Sequence, residues 1–423
     1  MKRAILLSFL ALVWDAPATA AEEAAAKPPE IVWSFSGEAR FRPEYRSDFD
    51  LTRAVDDERR EGFMRLRLGV GATIRDDVRL FFQAQDSRIA GEEASTLSSQ
   101  KNTDLHQGYV EVRRLGVAGL SLTIGRQELK YGDERLIGAA GWDNVGRAFD
   151  GVKIRFAPAR YFLDGFYARI SSVTSGAATS GSDLYGIEVQ APLREGGEYG
   201  AYGLGFVDSV QAAGETGAPG STSIHALGGR MKDRFGRLDV NAELVWETGE
   251  SRGDDLRALA GALEAGGTWG EAVKTRAFAG YDYATGDEAS TDGERQEFFN
   301  FFPTNHQHYG YADFEGWRNI VSPYVGVSFT GGKHFGQVKL HDFSLEEAGG
   351  TWKDAGGAVL GFDPTGSSGT DVGRELDLTY RYRWMEKVTL EAGYSRFDPG
   401  GFAEATRGPD ASDWGYLMLT FGF

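Results

Sequence analysis

GRQELKYGDERLIGAAGWDNVGRAFDGVKIRF, residues 125–156, enters as one strand and leaves as another. Before it, Leu120, Leu122 and Ile124 alternate with Ser121 and Thr123. At its end Val152, Ile154 and Phe156 alternate with Lys153 and Arg155, so both flanks have the period of a pleated strand. The interior follows neither strand nor helix period. Gly132, Gly138, Gly141 and Gly146 punctuate it among Lys130, Asp133, Glu134, Arg135, Trp142, Asp143, Asn144 and Arg147. Such a mixture, on a long loop held by a rigid scaffold, is a common setting for recognition.

Outward from this hairpin the chain divides into about 18 strand candidates, an even number in the range of membrane β-barrels. Short turns at 75–76, 157–160, 232–236, 331–334 and 384–386 alternate with long connections at 48–60, 89–103, 129–147, 285–319, 344–371 and 398–413. A barrel with both termini on one side of a membrane requires this asymmetry. Residues 254–266 have the Ala and Leu content of a helix, but an even strand number requires a strand there.

The ends of the chain agree with export to an outer membrane. Lys2 and Arg3, an apolar run over 4–13, and Ala18-Thr19-Ala20 read as a signal peptide over 1–20, cut after Ala20. A short polar segment (21–32) leads into the barrel (33–423). At the other end Leu417, Leu419, Phe421 and Phe423 alternate up to the terminal aromatic, a pattern that suits delivery to a barrel assembly machinery. No run approaches the roughly 20 apolar residues of a membrane-spanning helix. The chain has no cysteine, so the fold must hold without disulfides.

A mean hydropathy of −0.36 and a net charge of −17 with 58 glycines and 13 % aromatics fit a barrel in which only alternate residues meet lipid. The acidic total argues against a nucleic-acid partner. The expected surroundings are outer-membrane lipid and lipopolysaccharide.

Strand parity assigns a lumenal face. Met64, Leu66, Leu68 and Val70 take the lipid side and turn Arg65 and Arg67 inward; Phe41 and Tyr45 do the same for Arg40, Arg42, Glu44 and Arg46. Arg79, Lys153, Arg155, Arg381 and Arg383 follow on other strands, while Asp239, Asn241, Glu243 and Glu247 place carboxylates elsewhere. The result is an Arg-rich arc in an acidic protein. Arg engages carboxylates through paired hydrogen bonds, and a polyuronate offers one carboxylate per sugar.

The motifs GRQELxYGDxRLxG and GWxNxGRxFDGxK, together with FPTxHxxYGxADxxxWxN within residues 300–319, resemble the signatures of the alginate export family. That resemblance implies an outer-membrane β-barrel that passes an anionic polysaccharide through an electropositive constriction. It puts Arg126, Arg135, Asn144 and Arg147 at or near that constriction. His306, His308 and Asp313 match no usual zinc spacing, so no metal and no cofactor is expected. No nucleophile elbow, P-loop or dinucleotide fingerprint is present. The expected function is therefore a channel for anionic saccharides rather than an enzyme, with a general anion-preferring porin as the alternative.

Overall fold

The computed structural model describes residues 30–93, 102–175 and 178–423; the expected signal peptide and the polar residues 21–29 lie outside the described residues. Eighteen antiparallel strands follow one another around a closed barrel. They are β1 (Ile31–Ser47), β2 (Arg59–Ile74), β3 (Val78–Ile89), β4 (Thr103–Arg113), β5 (Leu120–Gln127) and β6 (Phe149–Phe156). Next come β7 (Phe162–Ser175), β8 (Ala178–Ala191), β9 (Glu198–Ala213), β10 (Pro219–Phe235), β11 (Leu238–Ser251) and β12 (Asp254–Trp269). The circuit ends with β13 (Lys274–Ala284), β14 (Ile320–Gly331), β15 (His334–Ser344), β16 (Asp371–Met385), β17 (Val388–Pro399) and β18 (Ser412–Gly422). β18 pairs back onto β1, Leu419 opposite Phe41, so the sheet has no free edge to satisfy within lipid.

β12 shows tertiary context overriding helix propensity. It pairs along its length with β11, and Leu256, Ala258, Ala260 and Ala262 are buried inward while Leu259 and Leu263 face out. β1 begins at Ile31, taking in two residues expected to precede the barrel.

Many glycines serve to seat a neighbouring ring. Tyr202, Tyr324 and Tyr416 are buried on the inner face, and each stands opposite a glycine on the adjacent strand: Gly228, Gly280 and Gly393. A Cβ on any of these glycines would come within 2.1–2.3 Å of the facing ring. Glycine thus leaves the ring room to lie across the strand.

The described chain starts and ends at the short-turn rim, where Ile31 pairs with Ile74 and Phe423 bonds the Gly37 backbone. The long loops gather at the opposite rim, the exterior side in such barrels. Several of them fold inward rather than away. A buried cluster that includes Trp317, Trp352, Phe314, Phe397 and Phe402 fills the lumen at this end, so the hydrophobic core is formed by loops against the inner wall. The short helix α1 (Gly401–Thr406) contributes Phe402 to it.

Candidate functional site

Two segments cross the lumen: a first inner loop, residues 128–148, and a second, residues 285–319. Their apolar side chains explain why they are not solvated. Leu129, Leu136 and Ile137 of the first and Phe298, Tyr309, Phe314 and Trp317 of the second are all buried.

The wall holds the first loop by its backbone. Arg40 donates to the carbonyls of Gly141 (2.9 Å) and Asp143 (3.0 Å), and Arg65 reaches the same two oxygens at 3.1 and 2.8 Å. Arg42 donates to the Trp142 carbonyl (2.5 Å) and Arg67 to that of Val145 (3.0 Å). All four are buried. Asn144 donates to the Arg88 carbonyl from its amide, at 3.0 Å. The inward arc of arginines is thus occupied by loop carbonyls, which would otherwise be buried acceptors without donors.

The two motifs meet each other inside. Gly138 N–H bonds the Phe302 carbonyl (2.8 Å) and Phe302 N–H bonds that of Leu136 (2.7 Å). Arg147 spans the junction, donating to the carbonyls of Gly138 (3.1 Å), Phe302 (2.5 Å) and Pro303 (2.9 Å). The Glu134 carboxylate accepts from Thr304 Oγ1 (2.8 Å) and from Ala139 N–H (2.9 Å). Arg135 donates to Tyr309 Oη (2.7 Å) and lies 3.2 Å from the Asp282 carboxylate. Burial alone would lower the Arg135 guanidinium, but Asp282, together with Tyr309, Tyr324 and Glu243, more than reverses this and keeps it charged. His308 Nε2–H donates to the Asp133 carbonyl at 2.7 Å. Burial, reinforced by Arg135, drives its imidazole well below the usual range, so it is neutral.

This junction divides the lumen. A cavity of about 460 Å³ toward the long-loop rim is lined by Arg46, Arg147, Thr304, Asn305 and His306, among others. One of about 400 Å³ toward the short-turn rim is lined by Glu134, Arg135, Gln307 and His308. The hydrogen-bonded pair Glu134 and Thr304 therefore has one partner on each side.

The remaining expected residues fall in several places. Arg46 donates to the Ala312 carbonyl (2.9 Å) and so reaches the second loop. Arg155 pairs with Asp164 at 2.6 Å and Arg381 with Glu391. Arg79 lies over the Phe81 ring at 5.1 Å. Among the described residues Arg79, Lys153 and Arg383 form no ion pair, and Arg383 is exposed near the short-turn rim. Arg126 is corrected. It shares strand parity with outward-facing Ile124, pairs with Asp150 at 2.8 Å, and so stands on the outer wall away from the inner loops.

Strand reading passed over the lumenal partners Asp164 and Asp282, both fully buried, although each has inward parity beside an outward aromatic, Tyr167 and Tyr281 being exposed. It also passed over Asn300, Arg295 and Lys353, which lie on loops where no periodicity assigns a direction.

An up-and-down barrel with an apolar outer face, a polar wall and loops folded into the bore defines an outer-membrane channel. The solved structures similar to it agree. OccK11 (OpdR) of Pseudomonas aeruginosa matches with a TM-score of 0.61 at 10 % identity, covering 92 % of this chain and 96 % of that one. The outer-membrane protein OprD of the same organism matches with a TM-score of 0.59 at 11 % identity, covering 92 % and 94 %. At such identity the likeness concerns the fold. No curated protein sequence matches this chain. The alginate export family model matches residues 32–416, and the chain belongs to that family. It is a protein of the bacterial outer membrane.

Proposed function

We propose that this channel passes an anionic saccharide of the polyuronate type. The observation that carries this is a cationic cavity among the outer loops. This cavity, of about 400 Å³, is lined by Arg252, Arg295, Arg318 and Lys353 against the carboxylates of Asp208 and Glu297. On the other side of the plug, the inner wall carries Lys153 and Arg79, which form no ion pair among the described residues. Cations lining a passage favour anions, and family membership supports a carboxylated polymer as the anion. The clamp arginines add positive potential at the plug while their donors are engaged by the loop.

The test is single-channel conductance of the refolded protein in a planar bilayer under a salt gradient, with and without oligouronate. Anion selectivity with block by oligouronate is expected. A large, unselective conductance indifferent to oligouronate would replace this reading with a general porin.

A further inference from the structure

Asn300 is only 4 % exposed, yet among the described residues neither its amide oxygen nor its amide nitrogen has a hydrogen-bond partner. It does not stand alone. Asn305, also buried, gives its Nδ2 to the Ala355 carbonyl (2.8 Å) and leaves Oδ1 unpartnered. Arg318 has an unpartnered buried Nε, and its Nη1 packs over Gly357, where a Cβ would come within 2.3 Å of that nitrogen. Buried polar groups are almost always satisfied, so several unsatisfied ones in one place call for a missing partner.

That partner has room and a sign. Asn300, Phe301, Arg318 and Gly356 line both outer cavities, of about 460 and 400 Å³, a size suited to a small organic group. Glu297 is shared by Lys353, which pairs with it, and by Arg295 at 3.9 Å. Asp354, the other carboxylate near Arg318, accepts from Ala358 N–H at 2.8 Å. Arg318 has no ion pair within this set, and its guanidinium fork fits a carboxylate.

We propose that Asn300, Asn305 and Arg318 form a docking subsite for one hexuronate unit on the outer face of the plug. Arg318 takes the carboxylate and the two amides take ring hydroxyls. The proposal rests on the polyuronate reading above. It adds the point of capture, on a loop position (Arg318) that the family motif leaves variable, separate from the wall arginines that clamp the first loop.

The test adds a hexuronate trisaccharide to the long-loop side of the channel in a bilayer and reads the half-blocking concentration. Arg318→Gln and Asn300→Ala are each expected to raise it at least tenfold. Arg318→Lys, which keeps the charge and loses the fork, is expected to raise it severalfold. A neutral glucose trisaccharide and sulfate are expected to displace the uronate poorly. Heat-modifiable migration on gels establishes that each variant is a folded barrel. Block preserved in both Arg318→Gln and Asn300→Ala would overturn the subsite while leaving polyuronate passage standing. Displacement by sulfate as effective as by uronate would overturn the sugar assignment. A wild-type channel that conducts but ignores uronate would remove the solute reading, and the subsite with it.

Discussion

Arg40 and Arg65 stand directly opposite each other on β1 and β2, and both donate to the carbonyls of Gly141 and Asp143. Like charges so placed repel across a sheet. Here the shared oxygens lie between them, and Glu38 adds a carboxylate 2.7 Å from Arg65. The wall therefore tolerates the pair because the loop is docked, and the loop docks because the pair is there.

Removing one member should loosen the loop. Arg65→Ala is expected to weaken docking by about 1.5–3 kcal/mol, the range for a hydrogen bond to a charged group. The readouts are a higher, noisier single-channel conductance and new proteolytic cleavage within residues 128–148. A quiet, uncleaved variant would mean that the apolar residues alone hold the loop.

Glu134 combines a latch with a strained backbone, its φ being 60°. Glu134→Ala loses the bonds to Thr304 and Ala139 and keeps the left-handed cost. Glu134→Gly loses the same bonds and relieves that cost, about 1–2 kcal/mol. The glycine variant should therefore resist plug cleavage better than the alanine variant, and Glu134→Gln, which retains an acceptor, better than either.

Acid should undock the second loop through His308. Its docked value lies below the ordinary 6.5, so the docked state holds it neutral and an undocked loop takes up a proton below that pH. The His308 contribution to docking is fully present above pH 6.5 and is lost as pH falls below it toward the docked value. Glu315, raised above its ordinary 4.5 by burial, runs the other way, favouring docking at low pH and losing that contribution as pH rises. Comparing wild type with His308→Asn from pH 8 to pH 5 isolates the imidazole. Conductance of the wild type should rise relative to the variant as pH falls.

A side chain at Gly393 would meet the Tyr416 ring at 2.1 Å. Gly393→Val is expected to destabilise the barrel by about 1–3 kcal/mol, as overpacking does. Loss of heat-modifiable migration at a lower temperature would register it. Adding Tyr416→Ala should restore part of the loss, since it removes the ring but also the hydroxyl that donates to Glu391 (2.6 Å).

The strands were legible because each is a local pattern. Alternation over residues 64–70 places the leucines on lipid and Arg65 and Arg67 inside, and the same rule holds even in 254–266, where even strand number outweighs propensity. The parity of β5 would also have put Arg126 outside, beside Ile124; the motif resemblance placed it at the constriction instead. Leu136, Ile137, Phe298 and Trp317 lie on long connections without a strand period, so nothing in their spacing says what they bury against.

Sequence by itself determined the closed barrel, its rims and the facing of its wall residues, because a period of two and the length of each connection are properties of the chain in one dimension. Tertiary structure alone decided that the inward arginines meet backbone carbonyls, that residues 134–138 meet 302–304, and that Asn300 and Arg318 converge. Those contacts join residues up to 266 positions apart. The paths of irregular loops are set by which buried polar groups and rings satisfy one another inside the bore, and no periodicity encodes that.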